Sequence, residues 1–146
     1  MLSDQALFDP RRYTTTRGPA LQAETLPPDA YTADAFYRRE VERVFLKEWN
    51  FMGRADLVPH AGDYFAVELA GVPLIVVRGQ DGVVRAFANS CRHRGTILTT
   101  GEGNCRAFKC PYHSWVYGLD GRLDAVGPPC RRVVHFHWRS PAHVTT

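Results

Sequence analysis

The chain has 146 residues, 45% of them hydrophobic and 23% charged, which predicts a soluble globular protein with room for one ordinary domain. No apolar run approaches the ~20 residues of a membrane span, and the N-terminus lacks the basic start and apolar stretch of a secretory signal. Residues 1–126 carry 15 basic and 15 acidic side chains, so the net charge of +3 comes entirely from residues 127–146. A body without basic surplus is not expected to bind nucleic acid or a membrane. We expect a cytoplasmic protein, and for its four cysteines that compartment favours metal ligation over disulfide formation.

The N-terminal third of the chain is predicted to contain one helix. Residues 1–30 are rich in Pro, Thr and Arg, which predicts an extended N-terminal arm. Residues 31–48 follow as the helix, with Thr32 as its N-cap. Its apolar stripe has the spacing i, i+4, i+7, i+8 and consists of Tyr37, Val41, Val44 and Phe45.

From residue 49 to about residue 126 the pattern changes to short strands. Residues 63–69 alternate in character, and turn signals follow at Ala70-Gly71, Asp81-Gly82 and Asp120-Gly121. Pro73 restricts its strand to a sheet edge, or itself to the strand's first residues. The predicted fold is mainly β, a small antiparallel domain over 49–126 preceded by the helix and the arm.

Two short segments of this β region carry metal-ligand side chains. They have the pattern C-x-H, sixteen residues, then C-x-x-H, and their ligands are Cys91, His93, Cys110 and His113. One tetrahedral zinc could take all four, although zinc spacings usually place like ligands close together. Because each segment mixes one Cys with one His, a two-iron cluster fits better, with both thiolates on one iron and both imidazoles on the other.

These segments resemble those of the Rieske [2Fe–2S] proteins, most closely the N-terminal half of the α subunit of Rieske non-haem iron (aromatic ring-hydroxylating) oxygenases. The resemblance covers roughly residues 31–126. Its motifs are Trp49-Asn50-Phe51, Gly62-Asp63-Tyr64-Phe65, Asn89-Ser90-Cys91-Arg92-His93-Arg94-Gly95, Cys110-Pro111-Tyr112-His113-Ser114-Trp115 and Tyr117-Gly118-Leu119-Asp120-Gly121. Ser114 departs from the family, which usually has Gly at this position.

The resemblance implies one Rieske [2Fe–2S] cluster held between two hairpin loops. Cys91 and Cys110 are expected to ligate the inner iron, and His93 and His113 the outer iron. Tyr112 and Trp115 are expected to shield the cluster from water, while Cys105, outside the pattern, is interpreted as a free thiol. The loops lack the extra cysteines of respiratory Rieske proteins, which predicts a low-potential cluster.

The implied function is electron transfer within an oxidoreductase, a mono- or dioxygenase. A ferredoxin or a flavin-containing NAD(P)H reductase is the expected electron donor. A mononuclear Fe(II) on two His and one carboxylate is expected only in a missing C-terminal catalytic domain, since no Asp or Glu follows residue 124. This chain is therefore assigned no catalytic residue and is not expected to oxygenate substrate alone. The trimer-type ring of full-length relatives is not expected here.

Residues 127–146 form an aberrant basic tail in this interpretation. The acidic residues vanish there and the family resemblance ends, which suggests a shifted reading frame and no regular structure. An alternative is a stand-alone Rieske ferredoxin, although such carriers usually begin close to the first strand, without an arm and helix. A zinc module without redox function is a third possibility.

Overall fold

The computed structural model describes residues 3–127, so the predicted tail lies outside the described residues except for Gly127. The chain divides into two compact units, Met1–Asn50 and Phe51–Thr146. No helix in the described part of the chain is long and apolar enough to cross a membrane.

The first unit consists of short helical segments. They are α1 (Asp4–Leu7), a 3₁₀ helix (Pro10–Tyr13), α2 (Asp29–Thr32) and α3 (Asp34–Glu40), which continues into a π-helical turn (Val41–Phe45). The N-terminal arm is thus less extended than expected, because its own side chains find partners in this unit. Phe8 stacks on Phe36 of α3 with ring centroids 5.7 Å apart, and the Arg39 guanidinium lies 4.2 Å from the centre of the Phe8 ring. Such aromatic and cation–π contacts each contribute about 1 kcal/mol.

The single helix expected over 31–48 is interrupted at its start and changes pitch near its end. Ala33 has extended backbone angles (φ −86°, ψ 122°) and separates α2 from α3. Thr32, the expected N-cap, instead ends α2, and its hydroxyl donates a hydrogen bond to the carbonyl of Pro28. The predicted apolar stripe is only partly covered, since Tyr37 and Val44 remain about half exposed, at 51% and 47%.

The second unit is built from two small antiparallel sheets. A 3₁₀ turn (Ala55–Leu57) precedes them. The strands are β1 (Asp63–Leu69), β2 (Val72–Arg78), β3 (Val84–Ala88), β4 (Glu102–Asn104), β5 (Ala107–Lys109), β6 (Val116–Gly118) and β7 (Leu123–Ala125). The first sheet has the order β3-β2-β1-β4 and the second the order β5-β6-β7. The predicted antiparallel β domain is confirmed.

The predicted turns lie where the strands reverse. Ala70 and Gly71 both have positive φ, 48° and 82°, as a two-residue turn between twisted strands requires. Gly82 and Gly121 adopt the same left-handed conformation. Pro73 lies near the start of β2, which is an interior strand, so the second of the two placements expected for this proline is the one observed.

The main core lies beneath the two cysteine-bearing segments. It contains both sheets' inward residues together with two thiols: Ile75, Val77, Phe87, Cys91, Leu98, Phe108, Cys110, Tyr117 and Leu119. A second cluster of Val58, Val76, Val84 and Ala86 covers the opposite face of the first sheet. Because both faces of β2 are covered, its sequence is a continuous apolar run instead of an alternation of apolar and polar residues. The cysteines are thus anchored in the most buried part of the unit.

Candidate metal centre

The first ligand-bearing loop follows β3 and is closed by its own backbone. The N–H of Cys91 donates to the carbonyl of Thr96 at 2.8 Å, and the N–H of Gly95 donates back to the carbonyl of Cys91 at 2.8 Å. Gly95 has φ 69°, which this tight closure requires.

The second loop, between β5 and β6, repeats this backbone pattern. The N–H of Cys110 donates to the carbonyl of Trp115 at 2.7 Å, and the N–H of Ser114 donates to the carbonyl of Cys110 at 3.0 Å. In both loops the cysteine N–H donates a hydrogen bond to the carbonyl of the fifth residue after it. The cysteine carbonyl accepts a hydrogen bond from the N–H of the fourth residue after it. The backbone of that fourth residue is in the left-handed region in both loops, with φ 69° at Gly95 and φ 58° at Ser114.

We therefore predict that Ser114→Gly stabilises the protein. A non-glycine residue in the left-handed region costs about 1–2 kcal/mol, part of which is offset because glycine gains freedom in the unfolded chain. The expected gain is about 1 kcal/mol in the free energy of unfolding, measured by urea denaturation.

The reciprocal change is the control. A Cβ added at Gly95 would have no atom closer than the Ser90 hydroxyl at 3.9 Å, so Gly95→Ser tests backbone conformation without a clash. It is expected to destabilise by about 1–2 kcal/mol. Equal stabilities for wild type and Ser114→Gly would show that the second loop is not strained.

The two thiols lie together at the base of the loops. Cys91 is 2% exposed and Cys110 is 1% exposed. Burial alone would raise the pKa of the Cys110 thiol, but the backbone N–H groups of His113 and Tyr112 and a hydrogen bond from Cys91 lower it below its usual value. A lowered thiol pKa favours the thiolate, which is the form that ligates metal.

Tyr117 of β6 links the two loops from below. Its buried hydroxyl accepts a hydrogen bond from the backbone N–H of Arg92 at 2.9 Å and lies 3.2 Å from the Sγ of Cys91. Burial, reinforced by Cys91, raises the pKa of Tyr117, so the phenol keeps its proton. A phenol that keeps its proton can donate a hydrogen bond to the Cys91 sulfur.

The two imidazoles of the loops contact each other edge to face. Their ring centroids are 4.6 Å apart, and each ring has an aromatic neighbour: Trp115 stacks on His93 at 4.9 Å, and Tyr112 lies 3.8 Å from His113. Burial, with positive charge from His93 and Arg94, lowers the pKa of His113, and a neutral imidazole is the ligating form.

Unsatisfied ring nitrogens provide the test of whether these residues fit a metal cluster. The Nδ1 atoms of His93 and His113 are buried and have no hydrogen-bond partner among the described residues, although both residues keep partial exposure. A buried polar atom without a partner is costly, and coordination to iron would satisfy both nitrogens. Within residues 3–127 no three His, Cys, Asp or Glu side chains are grouped to hold one metal ion. A Rieske cluster takes its protein ligands in pairs, one pair per iron, and the residues fit that arrangement.

All four predicted ligand residues thus come from two matching loops of one unit. Cys105, the thiol left outside the pattern, packs beside the core, and its pKa is raised by burial. The structure brings Trp115 against His93 and Tyr112 against His113. The expectation that they shield a cluster from water stays a prediction.

Sequence reasoning missed two positioning residues. One is Tyr117, whose contact with Cys91 is invisible in a strand pattern. The other is Asn89, 3% exposed, whose side chain donates to the carbonyl of Thr99 at 2.7 Å and accepts from the N–H of Leu98 at 2.9 Å. Asn89 thereby ties the chain beyond the first loop back to its start. The available signal was a polar residue, Asn89, directly after the apolar strand β3 and two positions before the predicted ligand Cys91.

Two loops that each supply a thiol and an imidazole present the ligand set of the mixed-ligand iron–sulfur class of protein. The profile of the Rieske [2Fe–2S] domain matches residues 48–137, 90 of the 146 residues, and the chain belongs to this family. The match continues past Gly127, where we expected the resemblance to end.

The chain is similar to part of several Rieske oxygenases. Choline monooxygenase, chloroplastic, from Atriplex hortensis is 46% identical over 105 residues, which are 72% of this chain and 24% of the relative. The carnitine monooxygenase oxygenase subunit of Escherichia coli (strain K12) is 40% identical over 116 residues, 79% of this chain and 31% of the relative. The solved structure of naphthalene 1,2-dioxygenase from Rhodococcus sp. bound to indole has a TM-score of 0.74 at 30% identity and covers 88% of this chain and 29% of its own.

The chain is therefore a Rieske [2Fe–2S] domain homologous to the N-terminal part of Rieske oxygenase α subunits, and its homologues are oxidoreductases. It spans about a quarter to a third of the length of the curated relatives it matches.

The Tyr117 hydroxyl is predicted to raise the reduction potential. A hydrogen bond to a thiolate ligand stabilises the more negative, reduced cluster more than the oxidised one. A difference of about 1 kcal/mol corresponds to about 40 mV for a one-electron couple. Tyr117→Phe is accordingly expected to lower the potential by about 40 mV in a redox titration followed by visible absorption.

Tyr112→Phe is the matched control for this measurement. The Tyr112 ring lies against His113. Tyr112→Phe also removes one phenolic hydroxyl, but it leaves the contact between Tyr117 and the Cys91 sulfur in place. It should therefore change the reduction potential far less. Equal potentials in wild type and Tyr117→Phe would contradict the proposed donation to sulfur.

Proposed function

We propose that this chain is the electron-accepting domain of a Rieske oxygenase, with Cys91 and Cys110 on one iron and His93 and His113 on the other. The observation that carries the proposal is the pair of buried, unpartnered Nδ1 atoms in the same two loops as two buried thiols. When bound, the cluster supplies reversible one-electron transfer.

The chain's own residues give that chemistry its setting. The two backbone-closed loops hold the ligands in register, while Tyr112 and Trp115 flank the imidazoles and limit the approach of water. Because the histidine residues are partly exposed while their Nδ1 atoms are buried, the opposite side of each ring faces outward as the electron's route.

The oxygenase assignment is favoured over the stand-alone ferredoxin by similarity outside the Rieske domain. The naphthalene dioxygenase structure covers 88% of this chain, whereas the Rieske profile covers 90 of 146 residues. We propose that a ferredoxin or a flavin-containing NAD(P)H reductase supplies the electrons. Within residues 3–127 no three His, Cys, Asp or Glu side chains are grouped to hold one mononuclear iron, so we also propose that these residues transfer electrons without oxygenating substrate by themselves. A cytoplasmic location, where thiols stay reduced, suits this role.

Metal and sulfide analysis of the purified chain tests this function. After anaerobic reconstitution we expect about two irons and two acid-labile sulfides per chain, visible absorption, and an electron paramagnetic resonance signal after one-electron reduction. One zinc without sulfide would overturn the proposal in favour of a structural zinc module.

A further inference from the structure

Among residues 3–127, three buried side-chain polar atoms have no hydrogen-bond partner, and they belong to three rings in contact. Two are the Nδ1 atoms of His93 and His113, and the third is the indole Nε1 of Trp115. The Trp115 ring stacks on His93 with the ring centroids 4.9 Å apart, and His93 contacts His113 edge to face at 4.6 Å. Coordination to iron would satisfy both imidazole nitrogens, but it leaves the indole N–H without an acceptor.

The indole N–H needs an acceptor that the described residues do not provide. An indole nitrogen can only donate, and a buried donor without an acceptor costs about 1–3 kcal/mol. The ring planes of Trp115 and His93 lie within 6° of parallel, so an N–H in the indole plane cannot point at the imidazole. The sulfurs of Cys91 and Cys110 are also present in the structure, and neither accepts this hydrogen bond.

Burial of the indole nitrogen favours an acceptor between the two ligand loops. Trp115 packs against the core that contains Cys91 and Cys110, and its Nε1 is closed to solvent. Its backbone carbonyl accepts the N–H of Cys110 at 2.7 Å, which holds the residue at the end of the second loop. An outside molecule cannot reach a buried nitrogen while the loops keep their positions, whereas a cluster is assembled between the loops themselves.

We propose that the indole N–H of Trp115 donates a hydrogen bond to an inorganic sulfide of the cluster and raises its reduction potential. The proposal rests on the proposed function, because the sulfides are acceptors that only the cluster brings. The proton stays on the nitrogen, and no covalent bond is made or broken. A donor to a cluster sulfur stabilises the reduced cluster, which carries one more negative charge, more than the oxidised one.

Trp115→Phe tests the proposal, because phenylalanine keeps an aromatic ring beside His93 and removes the N–H. The holoprotein is titrated with dithionite, which supplies the one electron that the cluster gains. We expect the equilibrium constant for reduction to fall about fivefold, which is about 40 mV for a one-electron couple. The direction separates donation from shielding. A smaller ring that only admitted water would raise the potential, since water also stabilises the more negative state. An unchanged or raised potential would overturn the proposal.

Trp49→Phe is the matched control. Trp49 is 70% exposed and belongs to the first unit, so the same substitution there removes an indole N–H that is open to water. Its reduction potential should equal that of the wild type. An equal fall in both variants would overturn the proposal, because the loss of any indole would then have the same effect.

Pulsed electron paramagnetic resonance tests the contact in the unmutated chain. The protein is labelled with ¹⁵N at its tryptophan indoles only, and its cluster is reduced by one electron. An indole that donates to a sulfide should show a weak ¹⁵N coupling to the cluster, which should persist in Trp49→Phe and vanish in Trp115→Phe. Labelled wild type without this coupling would overturn the proposal, even if Trp115→Phe failed to assemble a cluster.

Failure of the proposed function would look different. Iron and sulfide are measured before each titration, so a chain without a [2Fe–2S] cluster, such as a zinc module, fails at that stage. Donation by Trp115 fails only in loaded, reducible protein whose potential and ¹⁵N coupling are independent of the indole.

Discussion

Cys110→Ala is expected to abolish the cluster while leaving the fold intact. Cys110 is 1% exposed at the base of the second loop, next to Cys91, and its loss leaves one iron with a single thiolate. A two-iron cluster needs two protein ligands on each iron, so iron and sulfide should fall to background. The backbone bonds that close the loop use no side chain and should survive.

Cys105→Ala provides the comparison for this variant. It removes a thiol five residues away that packs beside the same core but belongs to neither ligand pair. Its iron and sulfide content should match wild type. Circular dichroism and urea midpoints of both variants separate ligand loss from unfolding. A coloured, sulfide-containing Cys110→Ala, or a colourless Cys105→Ala, would refute the ligand assignment.

Phe87→Ala is expected to destabilise the protein by about 3–5 kcal/mol. Phe87 is 2% exposed in the core beneath the loops. A Cβ placed on Gly121, in the β6–β7 turn, would come within 2.7 Å of its ring, so this aromatic side chain packs tightly against the second sheet. A loss of this size is a large share of the 5–15 kcal/mol that stabilises a typical domain.

Urea denaturation of the protein measures this effect, with Phe51→Ala as the control. Phe51 is 85% exposed, so its removal should cost less than about 0.5 kcal/mol. A Phe87→Ala loss below about 1 kcal/mol would show that the two sheets do not depend on this contact. We also expect Phe87→Ala to lose iron more readily, since the proposed ligands Cys91 and Cys110 lie in the same hydrophobic core as Phe87.

The sheet region could be predicted from sequence because its signals are local. Ala70-Gly71, Asp81-Gly82 and Asp120-Gly121 each reverse the chain within a few residues, and only glycine or a strained residue fits such positions. The candidate ligand residues could be grouped for the same reason, since a Cys and a His one or two residues apart already share a loop.

The helical part was harder because its outcome depends on contacts between distant segments. The apolar stripe favoured one helix over 31–48, but the extended Ala33 and the π-helical turn at Val41–Phe45 divide it. A stripe of four residues identifies a helical face but is too short to distinguish α-helical from π-helical pitch over the last turn. The arm's contact between Phe8 and Phe36 joins residues 28 positions apart, beyond any local pattern.

Within the candidate metal centre, the hydrogen-bond partners of the cysteines could not be predicted from the spacing of Cys and His in the sequence. Tyr117 reaches Cys91 across 26 residues, and that contact depends on the register of β5, β6 and β7. The departure at Ser114 was visible as a residue type, but its left-handed backbone appears only in the structure.

The matched closure of the two loops has a consequence for the speed of electron transfer. Each loop is held by two backbone hydrogen bonds that involve neither a thiol nor an imidazole, so these bonds persist whatever charge the ligands carry. A frame that stays fixed as an electron arrives or departs requires little nuclear rearrangement. If the chain carries electrons as proposed, rigidity of Cys91–Thr96 and Cys110–Trp115 would keep the reorganisation energy low, and would be a functional property as well as a structural one.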